Sequence, residues 1–253
     1  ASMHRDSCGT CQACLAGELS LCANAAAVLG LLIDGGYARW LTAPQRCFYA
    51  VPEDIDPALA AVFQCTLGTA WRGLTRAGIR EGSRVLVTGA NGGVGAAALQ
   101  IASGLGATAI AVVRREEQVA DAEALGAASV VVDDGGGFHK QVPGGPVDIA
   151  MDCVGAPTFN SALRSLAVGG RLVAVGNITG ERIDLNIGYV ITFGLQVIGS
   201  SGANRADLAA LLAHHARSPL HVPIHARMPL ADADRAQRFV AAGGLQGRVV
   251  LIP

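Results

Sequence analysis

Four cysteines near the start of the chain have the types and spacing of a metal site. Cys8, Cys11, Cys14 and Cys22 form the pattern C-x2-C-x2-C-x7-C. Four thiolates this close in sequence can complete a tetrahedral shell around Zn²⁺ and exclude water, so such a site is structural. Two disulfides or four unrelated thiols are the alternatives. We favour zinc because the first residues are polar, without the apolar stretch of a signal peptide, and because the cysteines number seven, which is odd.

A second motif predicts a dinucleotide-binding loop. The strand-like run Arg84–Thr88 leads into glycines spaced G-x-x-G-x-x-G, and residues 96–102 have helical propensity. Such glycines let the backbone turn tightly and approach a pyrophosphate, whose charge then lies at the helix N-terminus. A glycine turn in an α/β sheet without a nucleotide is the alternative. The residues expected to contact the cofactor here are Gly89, Gly92, Gly93, Val94 and Gly95.

The end of the next predicted strand indicates which dinucleotide binds. NAD sites usually have a carboxylate there for the ribose 2′-hydroxyl, but this chain has Val113 followed by Arg114 and Arg115. Two guanidinium groups suit a 2′-phosphate, which they can hold by charge-assisted hydrogen bonds. The alternative is a solvated helix N-terminus, where two cations would oppose the helix dipole. The sequence therefore favours NADP over NAD.

The remaining pattern alternates strands and helices, which predicts a doubly wound parallel sheet. A helix is expected over 57–63, with Asp56 as its N-cap and Pro57 at its first position. Some strand character is expected over 37–43. Further strands are expected over 107–113, 129–132, 147–152, 171–175 and 195–200. Further helices are expected over 116–125, 158–166 and 205–216, the last capped by Asn204.

Together the cysteine lobe and the glycine loop resemble the zinc-containing medium-chain alcohol dehydrogenases and their reductase relatives, over the whole chain. Residues 35–40 are similar to that family's strand leading out of the metal lobe, and residues 247–251 to its closing strand. The resemblance implies a Rossmann sheet plus a remnant of a GroES-like β domain with a structural zinc lobe. It implies a partial GroES-like domain over 3–62, a dinucleotide-binding domain over 63–203 and a return to the first domain over 204–253.

The resemblance also implies roles for individual residues. Cys65 and Thr69 are similar to a Cys-x-x-x-Thr turn in which the cysteine is a catalytic-zinc ligand and the threonine touches the nicotinamide. A small buried apolar cysteine is the alternative for Cys65. Residues similar to the family's backbone partners of the nicotinamide carboxamide are Val175, Gly176, Ser200 and Gly202.

Several other residues have structural interpretations. Asp152 is as consistent with a carboxylate that caps a turn as with a cofactor contact. Cys47 and Cys153 are expected in the core, and His214 and His215 on a solvated helix face.

The chain also resembles a family member without its front end. Ala1 and Ser2 look like an expression remnant before Met3. In the family, a preceding segment supplies two more catalytic-zinc ligands, one of them a histidine in a Gly-His-Glu motif. None of the six histidines of this sequence lies in such a motif, so a catalytic zinc and zinc-dependent alcohol oxidation are doubtful for this chain.

Composition excludes several other functions. Apolar residues are 51%, charged residues 15% and aromatic residues 4%, with a net charge of −1. These values offer no basic field or stacking platform for nucleic acid, and no apolar run of transmembrane length occurs. We expect a cytoplasmic homodimer or homotetramer acting on a small molecule. An NADP-dependent alcohol dehydrogenase is expected first, a zinc-independent enoyl or quinone reductase second, and a non-catalytic NADP(H)-binding protein third.

Overall fold

The computed structural model describes residues 5–24, 27–133, 135, 137–243, 245 and 247–253. The predicted expression remnant, Met3 and His4 lie outside the described residues. The chain forms two compact units. One, which we call the split unit, comprises Ala1–Gly68 and Gly202–Pro253, and the other, the sheet unit, comprises Thr69–Ser201. The predicted boundaries at 62/63 and 203/204 lie near these junctions, and the GroES-like assignment of the split unit remains a prediction.

The first part of the split unit is built from short elements. Strands β1 (Arg5–Asp6) and β2 (Ala27–Val28) pair in antiparallel orientation. As predicted, Asp56 caps helix α2 (Pro57–Val62): its Oδ1 accepts a hydrogen bond from Ala58 N at 2.8 Å, and Pro57 occupies the first turn. The elements are β1 (Arg5–Asp6), α1 (Gln12–Leu15), β2 (Ala27–Val28), α2 (Pro57–Val62), 3₁₀ turns at Leu19–Leu21 and Gln45–Cys47, and a π-helical segment at Phe63–Leu67.

The strand predicted over 37–43 is wrong. Residues 36–39 form bends, and residues 40–44 have no regular structure. A strand needs a neighbour to satisfy its backbone N–H and C=O groups, and no described segment pairs with these residues. Tyr37 and Trp40 are accordingly exposed.

The sheet unit contains the predicted alternation of helices and strands. The predicted strands over 84–88, 129–132 and 147–152 are confirmed at both ends. Its elements are α3 (Gly68–Arg76), β3 (Arg84–Thr88), α4 (Gly93–Gly104), β4 (Thr108–Val113), α5 (Val119–Ala124), β5 (Ser129–Val132), β6 (Val147–Asp152), α6 (Ala156–Arg164), β7 (Leu166–Ala174), α7 (Ile187–Thr192) and β8 (Gln196–Gly199), with 3₁₀ turns at Glu116–Gln118 and Phe138–Lys140.

Six strands of the described residues form one parallel sheet in the order β5-β4-β3-β6-β7-β8. The order reverses between β3 and β6, which are hydrogen-bonded neighbours although two strands separate them in sequence. In such sheets, ligands bind outside the carboxyl ends of the strands at this reversal. The predicted doubly wound α/β fold is therefore confirmed.

Helices cover both faces of this sheet. Ala150 and Leu172 belong to a buried cluster that includes Phe159 and Leu163 of α6. Their sequence neighbours Met151 and Val173 point to the opposite face, where they lie beside Gly73 of α3. Burial on both faces explains why the strands are continuous apolar runs.

Several details of the sheet unit differ from the prediction. The helix predicted over 158–166 ends at Arg164, and β7 begins at Leu166 instead of residue 171. The glycine pair Gly169-Gly170 has the composition of a turn, but the structure includes it in the strand. Helix α7 was not predicted, because its apolar residues have no clear amphipathic period.

The chain ends with two helices and two strands in the split unit. The predicted helix after Asn204 is confirmed, and Asn204 N donates to Asp207 Oδ2 at 2.8 Å. The predicted closing strand is also present, paired in parallel with a strand that the sequence did not indicate. The elements are α8 (Arg205–Arg217), β9 (Ile224–Pro229), α9 (Ala233–Ala241) and β10 (Arg248–Ile252). Within the described residues, no helix has the length and apolarity needed to cross a membrane.

Candidate functional site

The four predicted metal ligands converge in the structure. All four Sγ atoms lie within 4.8 Å of one another. Cys8 Sγ is 4.0 Å from Cys14 Sγ, and Cys11 Sγ is 3.9 Å from Cys22 Sγ. Tetrahedral zinc with Zn–S bonds of about 2.3 Å places its sulfurs about 3.8 Å apart. The cysteines are free thiols, so the alternative of two disulfides is absent, and the donor set fits one zinc ion.

Local backbone hydrogen bonds hold the sulfurs in this arrangement. Cys8 N donates to Cys22 Sγ at 3.3 Å, and Cys11 N donates to Cys8 Sγ at 3.4 Å. Hydrogen bonding, first from the Thr10 backbone, lowers the pKa of the Cys8 thiol to about 5, whereas burial raises the pKa of Cys14 to about 12. A metal would favour the thiolate form of all four, because zinc ligation requires deprotonated sulfur.

Protein purified without added zinc is expected to contain about one equivalent of the metal per chain. Cys11→Ser should lose this zinc and lower the thermal unfolding midpoint, because three sulfurs no longer close the shell. Elemental analysis with a thiol titration checks the result. Cys153→Ser, which changes a thiol of the sheet unit, is the matched control and should keep its zinc. A full metal content in Cys11→Ser would contradict the assignment.

The predicted glycine loop lies at the carboxyl end of β3. Gly89 has φ +58°, a backbone conformation that favours glycine, and Gly92 is the extended N-cap of α4. A Cβ at Gly95 would overlap the carbonyl oxygen of Gly89, so the loop and the first turn of α4 approach each other as closely as backbones allow. The helix thus starts with its unpaired N–H groups beside the loop, the arrangement that binds a pyrophosphate.

A buried carboxylate joins the ends of the two strands at the reversal of strand order. Asp152, the last residue of β6, is fully buried. Its Oδ1 accepts hydrogen bonds from Thr88 Oγ1 at 2.5 Å and Thr158 Oγ1 at 2.6 Å. Its two oxygens also accept from Val154 N at 3.3 Å and Gly155 N at 3.2 Å. Asp152 therefore caps a turn, as the structural interpretation predicts, and fixes the end of β3 from which the glycine loop starts.

Burial raises the pKa of Asp152, while the hydrogen bonds from Thr158 and Thr88 partly oppose that rise. Because the folded-state pKa is raised, the folded protein binds this proton more readily than the unfolded chain. The contribution of Asp152 to stability therefore increases as the pH falls through the raised folded-state pKa toward the unfolded value of about 3.9.

Asp152→Asn is expected to lower the free energy of unfolding by about 1–3 kcal/mol at neutral pH, because an amide NH2 would face groups that donate. The deficit should widen as the pH falls toward about 4, since only the wild-type carboxyl gains a proton on folding. Denaturant unfolding at several pH values measures both effects. Asp148→Asn, an exposed residue of the same strand, is the control. Equal stability of Asp152→Asn and wild type would show that the network contributes nothing.

The predicted phosphate-binding arginines follow β4 at the same edge of the sheet. Both Arg114 and Arg115 are exposed. Their backbone N–H groups donate to Gln118 Oε1 at 3.1 and 3.2 Å, which ties them to the 3₁₀ turn that precedes α5. Sequence reasoning did not single out Gln118, Thr88 or Thr158, although a glutamine three residues after a helix start is a recognisable capping signal.

Three of the four predicted carboxamide partners lie at this edge. Val175 and Gly176 follow β7, and both N–H groups donate to the Asp152 carbonyl oxygen at 3.0 Å. A Cβ at Gly176 would overlap the Cys153 backbone, so only glycine fits there. Ser200 follows β8 and donates from its N to Ala174 O at 3.1 Å. The fourth residue, Gly202, belongs to the split unit.

The predicted catalytic pair is helical. Cys65 lies in the π-helical segment and Thr69 in the first turn of α3, and the catalytic roles of the two residues stay a prediction. π-Helical turns are frequent at functional sites. Cys65 is exposed, which contradicts its interpretation as a buried apolar cysteine. Within the described residues, the only group of three or more potential metal ligands is the four-cysteine cluster.

The two histidines predicted on a solvated face are packed instead. His214 is 2% exposed. The His215 ring meets Phe63 edge-on, with centroids 5.6 Å apart, and its Nδ1 accepts from Leu220 N at 3.0 Å. Burial lowers the pKa of both histidines. Cys47 is buried as expected and Cys153 is half-buried.

Comparison with known proteins identifies the family. The zinc-binding dehydrogenase family matches residues 93–217. The chain is 33% identical over 250 residues to acryloyl-coenzyme A reductase of Sulfurisphaera tokodaii, covering 97% of this chain and 73% of that protein. It is 31% identical over 247 residues to an alcohol dehydrogenase of Geobacillus stearothermophilus, covering 96% and 72%. The chain therefore belongs to the zinc-type medium-chain dehydrogenase/reductase superfamily.

Solved structures agree with this membership. AibC superposes with a TM-score of 0.94 at 37% identity, covering all 100% of this chain and 72% of AibC. An NAD-dependent alcohol dehydrogenase gives a TM-score of 0.91 at 31% identity, with coverage of 100% and 75%. A zinc-binding dehydrogenase of Sinorhizobium meliloti bound to NADP gives 0.89 at 28% identity, with coverage of 100% and 76%. The relatives are oxidoreductases, with both NAD and NADP among their names.

Proposed function

We propose that this protein is an NADP-dependent oxidoreductase of the zinc alcohol dehydrogenase type, which moves a hydride between nicotinamide and an alcohol or carbonyl carbon. One observation carries the proposal. The glycine loop, the arginine pair and the carboxamide partners Val175, Gly176 and Ser200 all follow carboxyl ends of strands in one parallel sheet. A dinucleotide lying along this edge would reach all three groups, because it crosses the sheet where strand order reverses.

Each group has a distinct task in this proposal. The start of α4 binds the pyrophosphate through backbone N–H groups, and the arginines bind the 2′-phosphate. The backbone after β7 and β8 orients the nicotinamide ring, and the Asp152 network keeps these strand ends in fixed positions. The protein thus supplies binding and orientation, while the nicotinamide supplies the hydride.

Metal chemistry has a separate place in the proposal. The four cysteines would hold a structural zinc, and Cys65 is the residue that we propose as one ligand of a catalytic zinc. When bound, a catalytic zinc polarises a carbonyl or stabilises an alkoxide. The exposed thiol of Cys65 is accessible for such ligation.

The protein is expected to bind NADPH more tightly than NADH. Replacing both Arg114 and Arg115 by Ala should weaken NADPH binding by about 2–4 kcal/mol and leave NADH binding nearly unchanged, because each guanidinium makes charged hydrogen bonds to the phosphate. Fluorescence titration measures both affinities. The double variant Arg80→Ala with Arg164→Ala removes two exposed arginines near the opposite edge of the sheet and serves as control. Equal affinities of wild type for the two cofactors would contradict the proposal.

Reduction of a carbon–carbon double bond beside a thioester is the second candidate function. The specific observation in its favour is that two relatives at 32% and 33% identity are acryloyl-coenzyme A reductases. Hydride addition to such an activated alkene does not require a metal-bound oxygen. Among the described residues, Cys65 belongs to no group of three or more potential metal ligands. A reaction that needs no catalytic metal is compatible with this arrangement.

A substrate panel with NADPH and NADP⁺ separates these functions. Little or no zinc-dependent turnover of alcohols or ketones is the expected result, because Cys65 alone cannot fix a catalytic zinc. Turnover that chelation and Cys65→Ser both abolish would show that other residues complete a catalytic-zinc site. Reduction of acyl-thioester alkenes that persists with chelator would support the second candidate. NADPH binding without turnover of any substrate would indicate a non-catalytic binding protein. Cys47→Ser, which changes a cysteine of the same unit that contacts Asp6, is the control for the cysteine change.

We also propose that the protein assembles as a homodimer or homotetramer. β8 is an edge strand of the sheet, and Val197 on it is 43% exposed. Val168 and Ile191 of the same unit are exposed as well. Unpaired strand edges and apolar surface favour association with another chain.

A further inference from the structure

The two arginines proposed to bind the 2′-phosphate have different surroundings. Arg115 Nε lies 3.7 Å from Glu117 Oε2, with both side chains exposed, 61% and 80% respectively. Among the described residues, no carboxylate forms an ion pair with Arg114. One guanidinium is therefore available to a ligand without rearrangement, whereas the other already has an anionic partner on its own turn.

The backbone that carries both arginines is fixed by Gln118. Its Oε1 accepts hydrogen bonds from Arg114 N and Arg115 N, and its own N donates to Arg115 O at 3.1 Å. These three hydrogen bonds tie the end of β4 to the first turn of the following helix. The backbone of Arg115 is therefore anchored. The ion pair between Arg115 and Glu117 can form or break by rotation of the two side chains alone.

A 2′-phosphate and the Glu117 carboxylate compete for the same guanidinium. Both are anions that arginine binds through forked hydrogen bonds, and both lie at the carboxyl end of β4 in the proposed complex. To bind the phosphate, Arg115 must leave Glu117, and the carboxylate then remains nearby as a repelling charge. NADH, which has no 2′-phosphate, avoids both costs.

We propose that Glu117 limits the preference of this protein for NADPH over NADH by holding Arg115. Arg114 then provides most of the attraction for the 2′-phosphate, and Arg115 provides the remainder. This proposal rests on the proposed function, because it concerns the dinucleotide site described above. Glu117 is then a specificity-determining residue, although its carboxylate is negatively charged like the 2′-phosphate.

The test compares Glu117→Gln with Glu116→Gln in the full protein, by titration with NADPH and with NADH at low ionic strength. Glu117→Gln should bind NADPH about two- to fivefold more tightly, the range expected for removal of one exposed ion pair. NADH affinity should not change. Glu116→Gln removes an equal charge from the same turn, so it reports general repulsion alone and should have a smaller effect. The gain should also shrink at high salt.

A double-mutant cycle separates competition for Arg115 from any effect on the helix. In an Arg115→Ala background, Glu117→Gln should gain no more NADPH affinity than Glu116→Gln does. A purely structural role of Glu117 would shift NADPH and NADH affinities together. Equal effects of the two glutamine variants, or an advantage that persists without Arg115, would overturn the proposal while the proposed function stands. Absence of any dinucleotide binding would overturn both.

Discussion

The candidate site depends on one buried carboxylate. Asp152 lies where two neighbouring strands of the sheet end, and hydroxyl groups from Thr88 and Thr158 together with two backbone N–H groups donate to it. A buried anion is costly unless it is fully hydrogen-bonded, so this set of donors is a strict constraint on the local geometry. It fixes the end of β3, and the glycine loop begins with the next residue. The backbone carbonyl oxygen of Asp152 also accepts hydrogen bonds from the N–H groups of Val175 and Gly176, which follow β7.

From this fixed point, the topology explains how distant parts of the sequence could serve one ligand. The strands are parallel, so every carboxyl end lies on the same edge of the sheet. Residues that follow β3, β4, β7 and β8 are separated by many positions in sequence, yet each follows a strand that ends at this edge. Only the glycine loop and the start of α4 are local to one another. The cysteine cluster differs from this site, because its four ligands come from a single short segment and need no sheet to bring them together.

The sequence predicts the features that local chemistry determines. Glycine spacing, apolar runs and capping residues predict β3, α4, β6 and α8, because each depends on neighbouring residues. The sulfur cluster is predictable for the same reason. Features that depend on distant partners are not predictable in this way. The structural role of Asp152 depends on its hydrogen bond from Thr88, which is 64 residues away in sequence. The segment over 37–43 lacks the neighbouring strand that it would need in order to pair. His214 is buried by elements whose positions the sequence alone does not determine.

The central claim is that a nicotinamide dinucleotide binds along the carboxyl edge of the sheet, and hydrogen exchange measured by mass spectrometry tests it most directly. Addition of NADPH should slow exchange of the backbone amides over 89–95, 114–118 and 175–177. Amides at the amino edge, over 82–84 and 126–129, should exchange at unchanged rates, because a ligand on one edge leaves the other in contact with water. Protection at the amino edge, or no protection over 89–95 at saturating NADPH, would contradict the account.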